Sequence, residues 1–289
     1  FNMLKDILIT NKSKLEKIKA KIAKDGAFKL HILADFDRTL TKAFVKGRKI
    51  PSVISILRDE NYLTKDYSEK ANALFEKYHP IEINQKISLN EKKKAMHEWW
   101  KTHFDLLIKE RLNKKDIEKV VNSGKIELRE GCQEFIEFLS KNNIPLVIMS
   151  SAGLGHESIA AYLAKYGVLC HNIHIISNEF IWDKNGYAVS IKEPIIHVMN
   201  KDETMIKDFP AFKSIKERKN VILLGDNIED VGMIKGFNYE NLIKIGFLNE
   251  SLEENLNYYK KVYDVLMLND SGMNYVNELL KEIISAKVL

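Results

Sequence analysis

The sequence predicts an α/β fold, a doubly wound parallel sheet with a helical cap domain inserted behind its first strand. Three observations carry this expectation. Short apolar runs alternate with helix-like patterns through most of the 289 residues, as expected of strands buried on both faces and of the helices that cover them. The polar residues closing these runs fall where such strands end, the rim at which α/β sheets bind ligands. One stretch, Lys42 to Lys125, is dense in helix formers and has no convincing strand run, so it reads as an insertion.

Taken in order, the opening FNMLKDILITNKSKLEKIKAKIAKDG reads as an amphipathic lysine-rich helix over 1–26. It has neither the long apolar run nor the small-residue cleavage site of a signal peptide, and Phe1 and Asn2 ahead of Met3 read as a remnant or an internal cut. Leu30 to Ala34 is the first strand of the sheet and ends at Asp35. IPLVIMSS ends at Ser150 and Ser151, NIHIIS near Ser177, and NVILLGDN at Asp226; NLIKIGF and YDVLMLND complete the set. Between them lie helical patterns at Cys132 to Lys141, Glu157 to Tyr166 and Met273 to Ile284. The inserted stretch holds two long helical patterns, DYSEKANALFEKYHP and NEKKKAMHEWWKTHFDLLIKERL. It is far longer than a strand crossover needs. The expected organisation is a core of residues 1–41 and 126–289 and a helical cap of residues 42–125, acting as a lid over the site.

Composition narrows the function. Forty-five percent hydrophobic residues suffice for a large buried core, and 45 basic and 40 acidic residues, scattered together, give a net charge of +5. That balance favours small anions mildly and does not indicate nucleic acid. Two cysteines make no disulfide framework and fit a reducing compartment. No apolar run approaches the roughly 20 residues of a membrane span. A cytoplasmic monomer is expected, with neither membrane nor nucleic acid as a partner.

The chemistry begins at ILADFDRTLTKAF, residues 32 to 44, where a buried-looking strand runs into Asp35 and Asp37. Asp ends many strands for ordinary turn geometry, so the pair alone decides little. Asp226, Glu229 and Asp230 in GDNIED end a later strand, and three or four acids on one rim need a cation. An all-oxygen donor set suits a hard ion such as Mg²⁺. Ser150 and Ser151, followed by the glycines of SSAGLG, offer hydroxyl and backbone N–H donors to a phosphate at a helix start. An ordinary helix cap would explain one serine but not its place on the same rim. A cation to face the phosphate is also required, and composition cannot select it.

These residues carry a resemblance. DFDRTLT, SSAG, a lysine and GDNIEDVGM resemble the four motifs of haloacid dehalogenase superfamily phosphatases. DFDRTLTKAFVKGRKIPS, FEKYHPIE, MHEWWKTH, LREGCQEFIEFL, HVMNKDE and LLGDNIEDVGM resemble, in order and spacing, the cytosolic pyrimidine 5'-nucleotidase (UMPH-1) family. The resemblance implies a haloacid dehalogenase-like core and a Mg²⁺-dependent 5'-nucleotidase acting on UMP and CMP through an aspartyl phosphate. Phosphotransfer to another nucleoside stays open beside hydrolysis.

The resemblance also implies roles. Asp35 would be the nucleophile and Asp37 the proton relay; Mg²⁺ would be held by Asp35, the Asp37 carbonyl and Asp226, with Asp230 reaching it through water. Lys201 would bind phosphate, ahead of Lys213. The family's S-A-G pattern selects Ser151 and Ala152, whereas counting from Pro145 selects Ser150. Glu82 would bind the base and Trp99 line its pocket, although packing between cap helices explains Trp99 as well. His103 stands where vertebrate relatives commonly carry Ser, which leaves base preference open. The alternatives are a phosphatase for 7-methylguanosine monophosphate or a small metabolite such as phosphoserine, and a nucleotide-binding protein with a dead site. The intact acids and Lys201 weigh against the last.

Overall fold

The computed structural model describes residues 6–50, 52–84, 86–201, 209–236 and 238–286. The reading of Phe1 and Asn2 falls outside them, as do the last two residues of HVMNKDE. The expected helix over 1–26 needs correction: Ile7–Ile9 form strand β1, and the helix α1 is Lys12–Asp25. The apolar run Ile-Leu-Ile, with two β-branched residues, suits a sheet strand, and it pairs antiparallel with Val265 to Met267. Asn11, extended, accepts the Lys14 N–H and starts the helix afresh.

Strand β2 (Leu30–Ala34) leads to the insertion. That segment opens with a small hairpin of β3 (Phe44–Val45) and β4 (Arg48–Lys49), strands too short to show in the sequence pattern. Four helices follow: α2 (Val53–Asp59), α3 (Lys65–Ile83), α4 (Leu89–Lys109) and α5 (Lys114–Asn122). Their starts are written locally. Thr64 caps α3, while Ser88 with Glu91 and Asn113 with Asp116 form capping boxes on α4 and α5.

The chain then resumes alternation with α6 (Cys132–Lys141), β5 (Leu146–Met149), α7 (Gly155–Lys165) and β6 (Ile173–Ile176). A hairpin absent from the sequence reading follows, β7 (Phe180–Trp182) and β8 (Ala188–Ile191). Its signal was Asn185-Gly186, the tight-turn pair; Gly186 has φ of 81° and Asp183 Oδ1 accepts the Asn185 and Tyr187 N–H groups. The last elements are α8 (Ala211–Ile215), β9 (Asn220–Gly225), a 3-10 segment Ile228–Gly236, β10 (Asn241–Leu248), α9 (Leu252–Val262), β11 (Val265–Leu268) and α10 (Asn274–Ser285).

Seven strands form one sheet in the order β1-β11-β10-β9-β2-β5-β6, parallel except for β1. Apart from β1, chain order runs outward from β2 in both directions, so β2 marks the switch point at which such sheets open a ligand crevice. Both faces are covered. On β2, β5 and β9, residues Leu30, Ile32, Ala34, Leu146, Ile148, Ile222 and Leu224 join one apolar cluster, and Leu33, Val147, Met149, Val221 and Leu223 join the other. Cys132 is buried, Cys170 half-buried, and both are free. No helix among the described residues is long and apolar enough to cross a membrane.

One glycine on β10 is required by packing. A Cβ on Gly246 would lie 2.5 Å from a ring carbon of Tyr263. Gly246→Ala is therefore expected to destabilise the fold by about 1–3 kcal/mol, the usual range for overpacking. Differential scanning calorimetry checks this, and an unchanged midpoint would mean that the ring moves aside without cost.

Candidate active site

The site is built at the carboxyl ends of β2 and β9. The two strands pair in register, with Ala34 opposite Leu224, so Asp35 leaves β2 level with Gly225 and Asp226 follows one residue further along the same rim. After Asp35 the chain turns tightly: the Thr39, Leu40 and Thr41 N–H groups all donate to the Phe36 carbonyl, and Thr41 Oγ1 accepts the Arg38 N–H at 2.8 Å. This turn aims the half-buried Asp37 into the crevice.

The second acidic segment is shaped as closely. Asp230 Oδ2 accepts the Asp226 and Asn227 N–H groups at 3.1 and 3.0 Å. Tyr259 donates its hydroxyl to the Asp226 carbonyl at 2.6 Å, and Tyr263 donates to the Asn227 carbonyl. Gly225 leaves the necessary room, since a Cβ there would lie 2.5 Å from that of Asp230. Carboxylate oxygens of Asp35, Asp226 and Asp230 come within 4.8 Å of one another; the Asp37 carboxylate is not one of this group.

Lys201 lies among them. Its side chain is only 4% exposed, so its charge needs buried partners, and Nζ donates to Asp35 at 2.5 Å and to Asp230 at 2.8 Å. The loop before it is pinned by Asn178, which accepts the Ile196 N–H and donates to the Ile196 carbonyl. Lys213 is exposed on α8 and does not line the cavity.

One ammonium does not balance this cluster. Burial pushes Asp35 up to about 7 against the pull of Lys201, with Asp230 and Asp37 adding to the rise. Burial also raises Asp37, opposed by Arg38 and Lys201. Asp226 is raised well above the carboxylate range by burial and then by Asp35 and Asp230. Burial works against the Lys201 charge, but Asp230 and Asp35 outweigh it and raise its pKa. A crowded set of oxygen donors short of positive charge fits a hard divalent cation.

The remaining sequence candidates divide between core and cap. Ser150 and Ser151 both line the cavity; Ser150 is buried and its Oγ accepts the Ala152 N–H at 3.1 Å, while Ser151 is half-buried. Ala152 is buried and does not line the cavity. On the cap side, Glu82 lies in the last turn of α3 beside His79, 3.1 Å from its Nδ1. Trp99 both packs between elements and faces the cavity. It packs with Tyr78, Met96 and Met199, and it lines the cavity with its buried indole N–H unpartnered. His103 is buried, with Nε2 3.0 Å from the Tyr67 hydroxyl, and burial lowers its pKa to about 4. It is neutral at physiological pH.

Other cavity residues escaped the sequence reading: Arg38, Arg58, Phe75, His79 and Trp100. Phe75, His79 and Glu82 follow helical spacing along one face of α3, and the Phe75 and His79 rings stack at 4.7 Å. That periodicity was a usable signal. Arg58, from α2, lies 5.0 Å over the Phe75 ring and had no such signal. The whole forms a cavity of about 310 Å³, with acids, serines and Lys201 on the core side and aromatic rings with Glu82 on the cap side.

Comparison with known proteins gives this arrangement a family. The profile of the pyrimidine 5'-nucleotidase (UMPH-1) family matches residues 38–284. The chain belongs to that family. It is thus a phosphoric monoester hydrolase of the haloacid dehalogenase superfamily. It is 36% identical over 262 residues to the 7-methylguanosine phosphate-specific 5'-nucleotidase A of Xenopus laevis, covering 90% of each chain. Its fold is shared with cytosolic 5'-nucleotidase IIIB, solved bound to cytidine, at a TM-score of 0.87 and 24% identity over 99% of this chain and 95% of that one. Substrate-bound phosphoserine phosphatase shares the core more distantly, at 0.52 and 16% over 86% and 96%.

The carboxylate cluster has a direct test. A divalent cation is expected to raise the unfolding temperature, the rise growing with concentration as binding to the native state requires, and Asp226→Asn should remove it. Scanning fluorimetry against an EDTA reference measures both. An equal rise in wild type and variant would place the ion elsewhere.

Proposed function

We propose that the protein is a Mg²⁺-dependent 5'-nucleotidase that hydrolyses pyrimidine nucleoside 5'-monophosphates, UMP and CMP, through an aspartyl phosphate. The observation that carries this reading is the single cavity joining the acidic rim, the serines and Lys201 to a cap wall that holds Glu82 and stacked rings. In this reading residues 42–125 are the cap and residues 1–41 and 126–289 the core. The phosphate is read from the core and the base from the cap.

The roles follow from charge and reach. Asp35 attacks phosphorus as a carboxylate; the bond from phosphorus to the ribose O5' breaks, and Asp37 gives its proton to that oxygen. Water then attacks the phosphorus of the aspartyl phosphate, Asp37 takes up its proton, and inorganic phosphate leaves. Burial favours a protonated Asp37 at the start of this cycle. Lys201 and the Ser150 and Ser151 pair hold the phosphoryl oxygens. Mg²⁺ would be held by Asp35, the Asp37 carbonyl, Asp226 and Asp230, and when bound it supplies the positive charge that keeps Asp35 ionised beside a phosphate.

A second reading keeps this chemistry and changes the base to 7-methylguanine. The specific observation favouring it is the wall of Phe75, His79, Trp99 and Trp100 next to Glu82. A methylated, cationic purine gains from aromatic faces and a nearby carboxylate more than a neutral pyrimidine does. The Xenopus laevis relative carries that specificity in its name. Phosphate release from UMP, CMP, GMP and 7-methylguanosine monophosphate, with and without Mg²⁺, decides between the two; no release from any of them would overturn both.

Asp35→Asn is expected to abolish turnover, and Asp37→Asn to lower it by about 10²–10⁴-fold, the usual weight of a proton relay, while nucleotide still binds. The double variant should be little worse than Asp35→Asn alone, because the pair acts as a unit. Steady-state kinetics with binding titrations checks this, and full activity in Asp35→Asn would end the mechanism. Glu82→Ala should weaken discrimination among bases and leave hydrolysis of an aryl phosphate nearly intact. Equal losses on nucleotide and aryl phosphate would mean that Glu82 supports the fold or the catalytic rim.

A further inference from the structure

Arg129 is a buried cation that the mechanism above does not use. Its side chain has no exposed surface, and each of its N–H donors finds an acceptor. Nε donates to the Thr39 carbonyl at 2.9 Å. Nη1 donates to Asp270 Oδ1 at 2.9 Å and to the Ser271 carbonyl at 2.7 Å. Nη2 donates to the Arg38 carbonyl and, at 3.1 Å, to Asn249 Oδ1. The guanidinium also lies 4.3 Å over the Phe247 ring.

Two of these acceptors, the Arg38 and Thr39 carbonyls, belong to the residues that directly follow Asp37. Arg38 has φ of 59°, a left-handed conformation that a side chain disfavours and that persists only when neighbours enforce it. Its carbonyl is held twice, by Arg129 and by Asn249 Nδ2 at 3.1 Å. Asp270, fixed by Arg129, accepts the Ala43 and Phe44 N–H groups at 2.9 Å each. Arg129 itself lies where the chain returns from the cap, and its N–H donates to the Leu40 carbonyl. The turn that presents Asp37 and both cap crossings therefore meet at one side chain.

We propose that Arg129, with Asn249 and Asp270, is the positioning unit of Asp37: it enforces the strained turn at Arg38 and so aims the proton relay at the leaving oxygen. The inference rests on the reading of Asp37 as that relay. A merely structural arginine would lower stability and affect all substrates alike. A positioning unit instead makes the loss depend on how much the leaving group needs a proton.

The test compares kcat/KM for phenyl phosphate and p-nitrophenyl phosphate, two substrates with neither base nor ribose that differ in leaving-group basicity. Asp37→Asn is the reference, and Asn249→Ala, at a half-buried position, removes one of the two holds on the Arg38 carbonyl; Arg129→Lys is the second variant. Asn249→Ala is expected to lose roughly tenfold on phenyl phosphate and under about threefold on p-nitrophenyl phosphate, a smaller copy of the Asp37→Asn pattern, consistent with misplacement of a catalytic group. Equal losses on the two substrates, or none, with the reference still selective, would overturn the positioning role alone. An unselective Asp37→Asn would overturn the relay reading and this inference with it.

Discussion

The structure turns on one electrostatic constraint: Asp35, Asp37, Asp226 and Asp230 converge on a rim where, among the described residues, the one buried lysine partner is Lys201. Parallel pairing of β2 and β9 in register brings the convergence about, because it delivers Asp35 and Asp226 to the same rim one residue apart. Burial then raises Asp35, Asp37 and Asp226. A fold that keeps such a cluster accepts a local loss of stability for a function. The deficit of positive charge is what a divalent cation, beside Lys201, would resolve.

Much of the surrounding packing reads as support for that rim. Tyr259 and Tyr263 come from α9 and its end to hold the carbonyls of Asp226 and Asn227. Gly225 and Gly246 lack side chains because Asp230 and Tyr263 occupy the space. Asn178 pins the loop that delivers Lys201 from the other side of β2. Each contact is weak alone, but together they keep like charges at fixed separations, which flexible side chains would otherwise widen.

Legibility in the sequence followed the range of the interaction that made each feature. The parallel strands and α6 came through because burial on both faces leaves unbroken apolar runs, and amphipathic periodicity is local. β1 was lost within a helical pattern because three residues pair with a strand more than 250 positions away. The β7 and β8 hairpin carried its Asn-Gly signal but lay among residues with little alternation. The carboxylates were visible as pairs at strand ends, whereas neither Lys201 nor Arg129 can be selected from 45 basic residues without a fold or a family resemblance. Trp99 shows a different limit: core packing and cavity lining require the same residue at the same spacing, so periodicity cannot separate them.

The two buried cations divide the work between charge and shape. Lys201 offsets the carboxylates themselves, and Arg129 fixes the backbone that carries one of them. This division constrains how a cap can move. The outgoing crossing is rooted as far as Phe44 by Asp270, and the return is rooted from Glu127 onward, where its carbonyl accepts the Lys42 N–H. Bending at the roots would drag the turn that holds Asp37, so a cap that opens without disturbing that turn has to bend outward of them. On the return, Gly124 lies outward of the root, with φ of 71° and no neighbouring atom within 4 Å of where a Cβ would sit; Gly47 instead tips the β3–β4 hairpin, which the Ile50 N–H closes onto the Ala43 carbonyl at 2.8 Å. The hairpin therefore carries the rooted part of the outgoing crossing on to Ile50, so bending that spares the turn at Asp37 falls beyond Ile50 on the way out and at Gly124 on the way back.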